Sequence, residues 1–459
     1  MAKDKMVWMN NRTSIDMTEG PLASGIIRFA IPVALASILQ QLFNSADIAV
    51  VGHFCGKAAM AAVGANSSVI NLQVSLFSGL AIGVNVVIAQ ALGKNDHEKT
   101  RRGVHTAIAL GMVSGLLLAC LGFFTARPLL TLMQAPEDVL DLAVLYLRIY
   151  FGGMPVLMLY NFSAAILRSY GDTKRPLYTL LLAGVINVLL NLLFVVGFGW
   201  AVAGVAIATV LSNAVSAIML LCFLHNEEGD IHLSLHDLAI TPALFREMLH
   251  VGLPAGFQSM LFSISNVVIQ SGFNSFGSAC VAGNATGLTY ESYTNYMDSA
   301  FTQAAMTFSS QNYGAGNHRR CRQVMRLSIL LGMLVVGAMC LVCTLFAEPL
   351  CRIYTSDPEV LAYAVWRIDY AQRFQWVAVI YNVTSGILRS VGYSIIPTII
   401  SIFGICIFRL IWIATVFAAH HTYPVLASVY PITWLLTSVL MITAYFLIAP
   451  RVWRKQVRS

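Results

Sequence analysis

The sequence predicts an all-α integral membrane protein. Its twelve transmembrane helices form two six-helix lobes, related by a pseudo-two-fold axis along the membrane normal, with a central cleft. Three observations carry this prediction. Only 11% of the residues are charged and 58% are hydrophobic, whereas a soluble domain carries about 25% charged residues. Twelve apolar stretches are long enough to span a bilayer, which takes about 20 residues each. The two halves of the chain also repeat one another at a nearly constant offset.

The twelve stretches centre near Ile38, Leu76, Gly111, Phe151, Leu189, Val210, Ser263, Asn295, Leu334, Ala378, Ile405 and Leu436. The polar start, Met1–Gly20, has no short apolar core followed by a small-residue cleavage site, so no signal peptide is expected. Lys and Arg concentrate in loops on the cytoplasmic side of a membrane. With the N-terminus inside, 20 of the 28 Lys and Arg residues fall on inner segments and 3 on outer loops. Both termini are therefore expected in the cytoplasm, in a multi-pass protein of the cell (plasma or inner) membrane. The net charge of +7 follows from this asymmetry and calls for no nucleic acid.

Residue n matches residue n+221 from the second span to the eleventh. Gln90 meets Gln311, Gly93 meets Gly314, and Pro176 meets Pro397. The strongest block is Tyr160-Asn161 followed by Ile166-Leu167-Arg168-Ser169-x-Gly171. It returns as Tyr381-Asn382 followed by Ile387-Leu388-Arg389-Ser390-x-Gly392. Before Gly56 the offset becomes 222, pairing Pro32 with Pro254. Six spans per half bring both halves in from the same side, which gives a two-fold along the membrane normal. The expected division is a cytoplasmic segment 1–20, an N-lobe 21–225, a polar linker 226–242, a C-lobe 243–450 and a cytoplasmic tail 451–459.

Polar residues mark the helices expected at the cleft, because polar groups in a span need water or protein around them. The second span carries Asn66, Asn71, Gln73 and Asn85. Its repeat partner, the eighth, carries Asn284, Glu291, Asn295, Asp298 and Gln303. Glu291 and Asp298, with Tyr290 and Tyr293 beside them, suit a lipophilic cation through charge and ring faces. Packing and interhelical hydrogen bonding are the competing roles. Cys340 and Cys343 lie in an apolar run and are expected as small core residues. No metal site, cofactor or enzymatic motif is expected: HExxH and GxSxG are absent, and Gly52-x-x-x-Gly56-Lys57 is one residue short of a phosphate loop.

Several strings resemble the multidrug and toxic compound extrusion (MATE) family over essentially the whole chain. They include Phe29-Ala30-Ile31-Pro32, Gln40-Gln41-Leu42-Phe43-Asn44-x-x-Asp47-x-x-Val50-Val51-Gly52 and Gln90-Ala91-Leu92-Gly93. Tyr146-Leu147-Arg148-Ile149-Tyr150-Phe151, the Ile166–Pro176 block and Gly204-Val205-Ala206-Ile207-Ala208-Thr209 complete the set. The resemblance implies an antiporter coupled to Na⁺ or H⁺ that exports cationic amphiphilic molecules by rocking alternating access. It also implies a lipid-embedded monomer. By the same resemblance Asp47, Asn187, Asn191 and Thr209 match a cation site, and Pro32 matches a bending point of the first helix. An oxygen-only set suits a hard cation, and Asp47 can take a proton instead. This sequence departs from one branch at Asn266, where that branch has Glu, and from another at Asn191, where Asp is expected. A lipid-linked oligosaccharide flippase is the architectural rival, and a membrane enzyme is the rival from another class. Arg148, Asp369, Arg373 and Arg409 have no role assigned by the sequence.

Overall fold

The structure, a computed structural model, describes residues 14–132 and 137–456. Twelve helical rods follow one another, and each contains one of the expected span centres. They are α1 (Leu22–Phe54), α2 (Gly56–Gly93), α3 (His97–Leu132), α4 (Glu137–Gly152 and Met154–Tyr170), α5 (Lys174–Asn191, continued as a π-helix over Leu192–Gly197) and α6 (Ala201–His225). The second series is α7 (Pro242–Asn274), α8 (Ser278–Gly314), α9 (His318–Leu345) and α10 (Pro358–Tyr370 and Ala378–Ser390, joined by a 3₁₀ segment Gln372–Val377). It ends with α11 (Ile395–Ser401 and Phe408–Trp412, with π segments Ile402–Ile407 and Ile413–Phe417) and α12 (Val429–Gln456).

Among the described residues nine helices are individually long and apolar enough to cross a membrane, and α4, bent by 47°, makes a tenth. The other two rods are α8, whose polar residues lower its hydropathy, and α10, which its 3₁₀ segment interrupts. Large apolar side chains point outward along these rods: Phe124 is 76% exposed and Phe446 65%. Such a surface needs lipid as its solvent.

The repeated Arg-Ser-x-Gly block has a local cause. Gly171 ends α4 at φ +97° and Gly392 ends α10 at φ +89°, a left-handed conformation that glycine adopts without steric cost. The flanking bonds match between the copies. Gly171 N–H donates to the Arg168 carbonyl (3.0 Å) and Asp172 N–H to that of Leu167 (2.9 Å). Gly392 N–H donates to Arg389 (3.0 Å) and Tyr393 N–H to Leu388 (2.9 Å). These are Schellman stops that satisfy the last carbonyls of each helix.

The chain packs as two units. One holds Leu35–Gly256 with the segment ending at Asp16; the other holds Met17–Ala34 with the chain from Phe257 onward. The repeat boundaries of the sequence, at 21 and 243, therefore differ from the packing boundaries. The first half of α1 packs with the second unit, and the first half of α7 packs with the first. The physical reason in the first unit is close helix packing. Gly79 and Gly83 on α2 meet Gly252 and Gly256 on α7. A Cβ on Gly79 would lie 2.2 Å from the Gly256 nitrogen, and one on Gly83 2.1 Å from the Met248 carbonyl oxygen. Two facing Gly-x-x-x-Gly strips bring the backbones together, the association mode of membrane helices. The repeat counterparts in the second unit, Ala30, Ala34, Ala300 and Ala304, are small and fully buried.

The linker folds onto the first unit. Arg175 on α5 bonds Glu227 (2.5 Å) and Asp172 (3.1 Å). His105 on α3 accepts the Ser234 N–H at Nε2 (3.1 Å), and its Nδ1 lies 2.7 Å from the Arg101 carbonyl.

Candidate functional site

In the first unit three helices bring Asp47, Asn187, Asn191 and Thr209 together. Small residues make this possible. A Cβ on Gly184 of α5 would lie 1.8 Å from the Phe43 ring of α1, so the ring seats in the space glycine leaves. One turn beyond Phe43 stands Asp47. One and two turns beyond Gly184 stand Asn187 and Asn191. A Cβ on Gly204 of α6 would lie 2.9 Å from Phe194, which draws α6 against the π-helical end of α5. Thr209 follows five residues after Gly204. A π turn shifts the register of the residues after it and recurs at functional positions; here it starts directly after Asn191.

The geometry is a closed polar ring. Asn191 Nδ2 donates to Asp47 Oδ1 (2.5 Å) and to Asn187 Oδ1 (3.2 Å). Thr209 Oγ1 lies 3.1 Å from Asp47 Oδ2, and Asn187 Nδ2 donates to that hydroxyl at 3.4 Å. Asp47 is 5% exposed and Asn191 0%. No Lys, Arg or His contacts Asp47 among the described residues. The Oδ1 of Asn191 is buried without a partner, an acceptor for which the protein supplies no donor. The set offers five oxygens, so a hard cation or a proton suits it.

The second unit treats its carboxylates differently. Arg367 of α10 donates to Glu291 Oε2 from Nε (3.0 Å) and Nη2 (2.5 Å). Arg367 is fully buried, and its guanidinium lies 4.1 Å above the Tyr430 ring. Gln375 donates to the Glu291 carbonyl (3.2 Å) and accepts from Thr294. Asp298 accepts from Asn382 Nδ2 at 2.6 Å, and its other oxygen is buried without a partner. Both carboxylates expected at the cleft are buried, and Glu291 is neutralised by an arginine from a neighbouring helix. The tyrosines beside them divide. Tyr290 OH donates to the Leu350 carbonyl (2.8 Å), and Tyr293 is half-buried. On α2, Gln73 Nε2 donates to Thr125 (3.0 Å). The side chain of Asn71 lies outside the described residues.

The family model described as MatE matches residues 32–193 and again 254–415. The chain belongs to the MatE family. The two matched segments are the two copies of the repeat, and together they cover more than half of the sequence. Among the relatives of this MatE chain is "Probable multidrug resistance protein YoeA" of Bacillus subtilis (strain 168). It is 28% identical over 387 residues, covering 82% of this chain and 83% of the relative. An "FAD transporter" of Shewanella oneidensis (strain ATCC 700550 / JCM 31522 / CIP 106686 / LMG 19005 / NCIMB 14063 / MR-1) is 26% identical over 349 residues, covering 75% and 77%. The fold is that of the solved "Crystal structure of MATE in the bent conformation", with a TM-score of 0.88 at 21% identity. That match covers 98% of this chain and 100% of that one.

Sequence reasoning on this MatE chain missed Arg367. The signal was present: Arg367 occupies the repeat position of Tyr146, so a charge replaces a phenol inside a span. A buried charge requires a partner, but the second half offers several acids, Glu291, Asp298 and Asp369 among them, and the spacing did not say which.

Proposed function

We propose that this MatE protein is a cation-coupled antiporter of the cell membrane, with both termini in the cytoplasm, that exports small amphiphilic molecules. One observation carries the coupling: Asp47 is a buried carboxylate held only by neutral donors. A lone charge in a membrane span costs several kcal/mol. Hydrogen bonds from an amide and a hydroxyl lower that cost without cancelling the charge. An exchangeable Na⁺ or H⁺ cancels it and leaves again when cargo or access changes, which is what antiport requires. The names of the relatives, a multidrug resistance protein among them, support export of small molecules. The same names, and the family match, favour transport over the enzyme reading.

The test uses proteoliposomes with Na⁺ and H⁺ gradients imposed separately and a fluorescent amphiphile as cargo. Asp47→Asn removes the ionisable group and keeps the shape. It should abolish gradient-driven accumulation while the purified variant keeps its melting temperature. Normal accumulation by Asp47→Asn would overturn the assigned site, and indifference of the wild type to both gradients would overturn antiport.

A further inference from the structure

The cation site has a counterpart of opposite sign. Asp47 is held by α1, α5 and α6. Six helices later, α7, α11 and α12 hold Arg409. The repeat offset pairs Val188, beside Asn187, with Arg409, and Thr209 with Tyr430. It also pairs the π segment that begins at Leu192 with the one that begins at Ile413. Where the first unit buries a carboxylate, the second buries a guanidinium.

Arg409 is 5% exposed. Its Nη1 donates to Asn266 Oδ1 (3.1 Å) and its Nε to Thr433 Oγ1 (3.4 Å). Its Cζ lies 4.6 Å above the Tyr430 ring. Every one of these partners is neutral. Glu291 is committed to Arg367, Asp298 accepts only from the neutral Asn382, and neither forms an ion pair with Arg409 among the described residues. Nη2 of Arg409 has no hydrogen-bond partner among the described residues. Because Asn266 turns its oxygen to the guanidinium, its Nδ2 faces away, also without a partner.

Asn266 is exposed, and the face of α7 that carries it is polar. Ser259, Ser263, Asn266, Gln270 and Asn274 recur at spacings of three and four, so they line one side of the helix. Gln270 donates to Asn274 Oδ1 (3.0 Å) and accepts from Asn284 (3.1 Å). A stripe of that length cannot sit against hydrocarbon without loss, and its Asn266 bonds Arg409.

We infer that Arg409 and Asn266 form a receptor for an anionic oxygen group, a carboxylate or a phosphate, on the cargo. The planar guanidinium presents parallel N–H bonds that match such a group, and the Asn266 amide adds a third donor. The cargo range then includes zwitterions and anions, not cations alone. This rests on the transport reading above.

The experiment compares efflux of three probes from proteoliposomes: a zwitterionic fluoroquinolone, its methyl ester and ethidium. Arg409→Gln should raise KM about tenfold for the zwitterion, the order expected for a lost charged hydrogen bond, and leave the ester and ethidium within about twofold. Arg409→Lys should recover part of the loss. Asn266→Asp supplies the guanidinium with its own carboxylate, so it should fold at least as well and exclude the zwitterion selectively. It keeps the question open to test if Arg409→Gln fails to fold. Equal changes for all three probes, or none, would sink the proposal. Repeating the series in vesicles with and without phosphatidylglycerol separates a lipid phosphate from a cargo carboxylate. If the zwitterion's KM shifts only in the anionic vesicles, the receptor belongs to lipid and the cargo assignment is wrong. Failure of the coupling assignment would lower accumulation of every probe without altering the ratio of their KM values.

Discussion

A carboxylate buried in a membrane span must be neutralised, and this chain does so in different ways. Glu291 takes a permanent partner in Arg367, with two donors on one oxygen. Asp47 takes only neutral donors. The difference predicts different responses to mutation. Glu291→Gln leaves Arg367 buried at 0% exposure without its counter-ion, a loss of about 3–5 kcal/mol. The double variant Glu291→Met/Arg367→Met removes both charges and should recover most of that stability. Thermal unfolding in detergent checks this: a double variant no more stable than the single one would show that the pair is not the balanced unit described. Legibility in the sequence follows the same division. Asp47, Asn187, Asn191 and Thr209 were reachable because a family pattern names their positions. The Glu291–Arg367 pair was not, because its members lie 76 residues apart and no spacing rule joins them. For want of those partners, the sequence left Glu291 and Asp298 open between a cargo-facing role and packing within the helices.

At the scale of the element, the span centres were legible and the helix ends were not: the string Ile-Leu-Arg-Ser-x-Gly was visible only as a repeat, although a Schellman stop depends on just such a run of consecutive residues. Helix packing was less legible, because a Gly-x-x-x-Gly strip acquires meaning only with the strip that faces it. Gly83 illustrates the consequence. Any Cβ there meets the Met248 carbonyl oxygen at 2.1 Å, and backbone cannot yield as a side-chain tip can. Gly83→Ala should cost about 1–3 kcal/mol, the usual range for overpacking. Gly152, at the bend of α4, has open space around its Cβ position, and Gly152→Ala should be close to neutral. Fluorescence-detected size exclusion of both variants after graded heating reads the contrast. Equal behaviour would mean that the α2–α7 contact does not limit stability.

At the scale of the whole molecule, the sequence repeat describes the chain and the packing units redistribute it. Both exchanges occur at one place in the repeat. The first unit's share of α1 begins at Leu35, three residues after Pro32. The second unit's share of α7 begins at Phe257, three residues after Pro254. Proline cannot donate to the carbonyl four residues earlier, so the Arg28 and His250 carbonyls each lose a helical bond there, and the helix can flex. These are the two helices that belong to both units, and each has its weak point next to the change of allegiance. The two prolines are the places where these shared helices bend most easily. Pro32→Ala/Pro254→Ala should restore both backbone bonds and stiffen both helices. Neither proline belongs to the Asp47 ring or the Arg409 receptor, so affinity for cargo should stay within about twofold while turnover falls about thirtyfold, roughly the effect of one net hydrogen bond of about 1 kcal/mol from each proline. Cargo binding by equilibrium fluorescence and efflux rate in proteoliposomes separate the two quantities. Unchanged turnover in the double variant would mean that the helices bend elsewhere, and a matching loss of affinity would mean that the prolines shape the sites and not the motion.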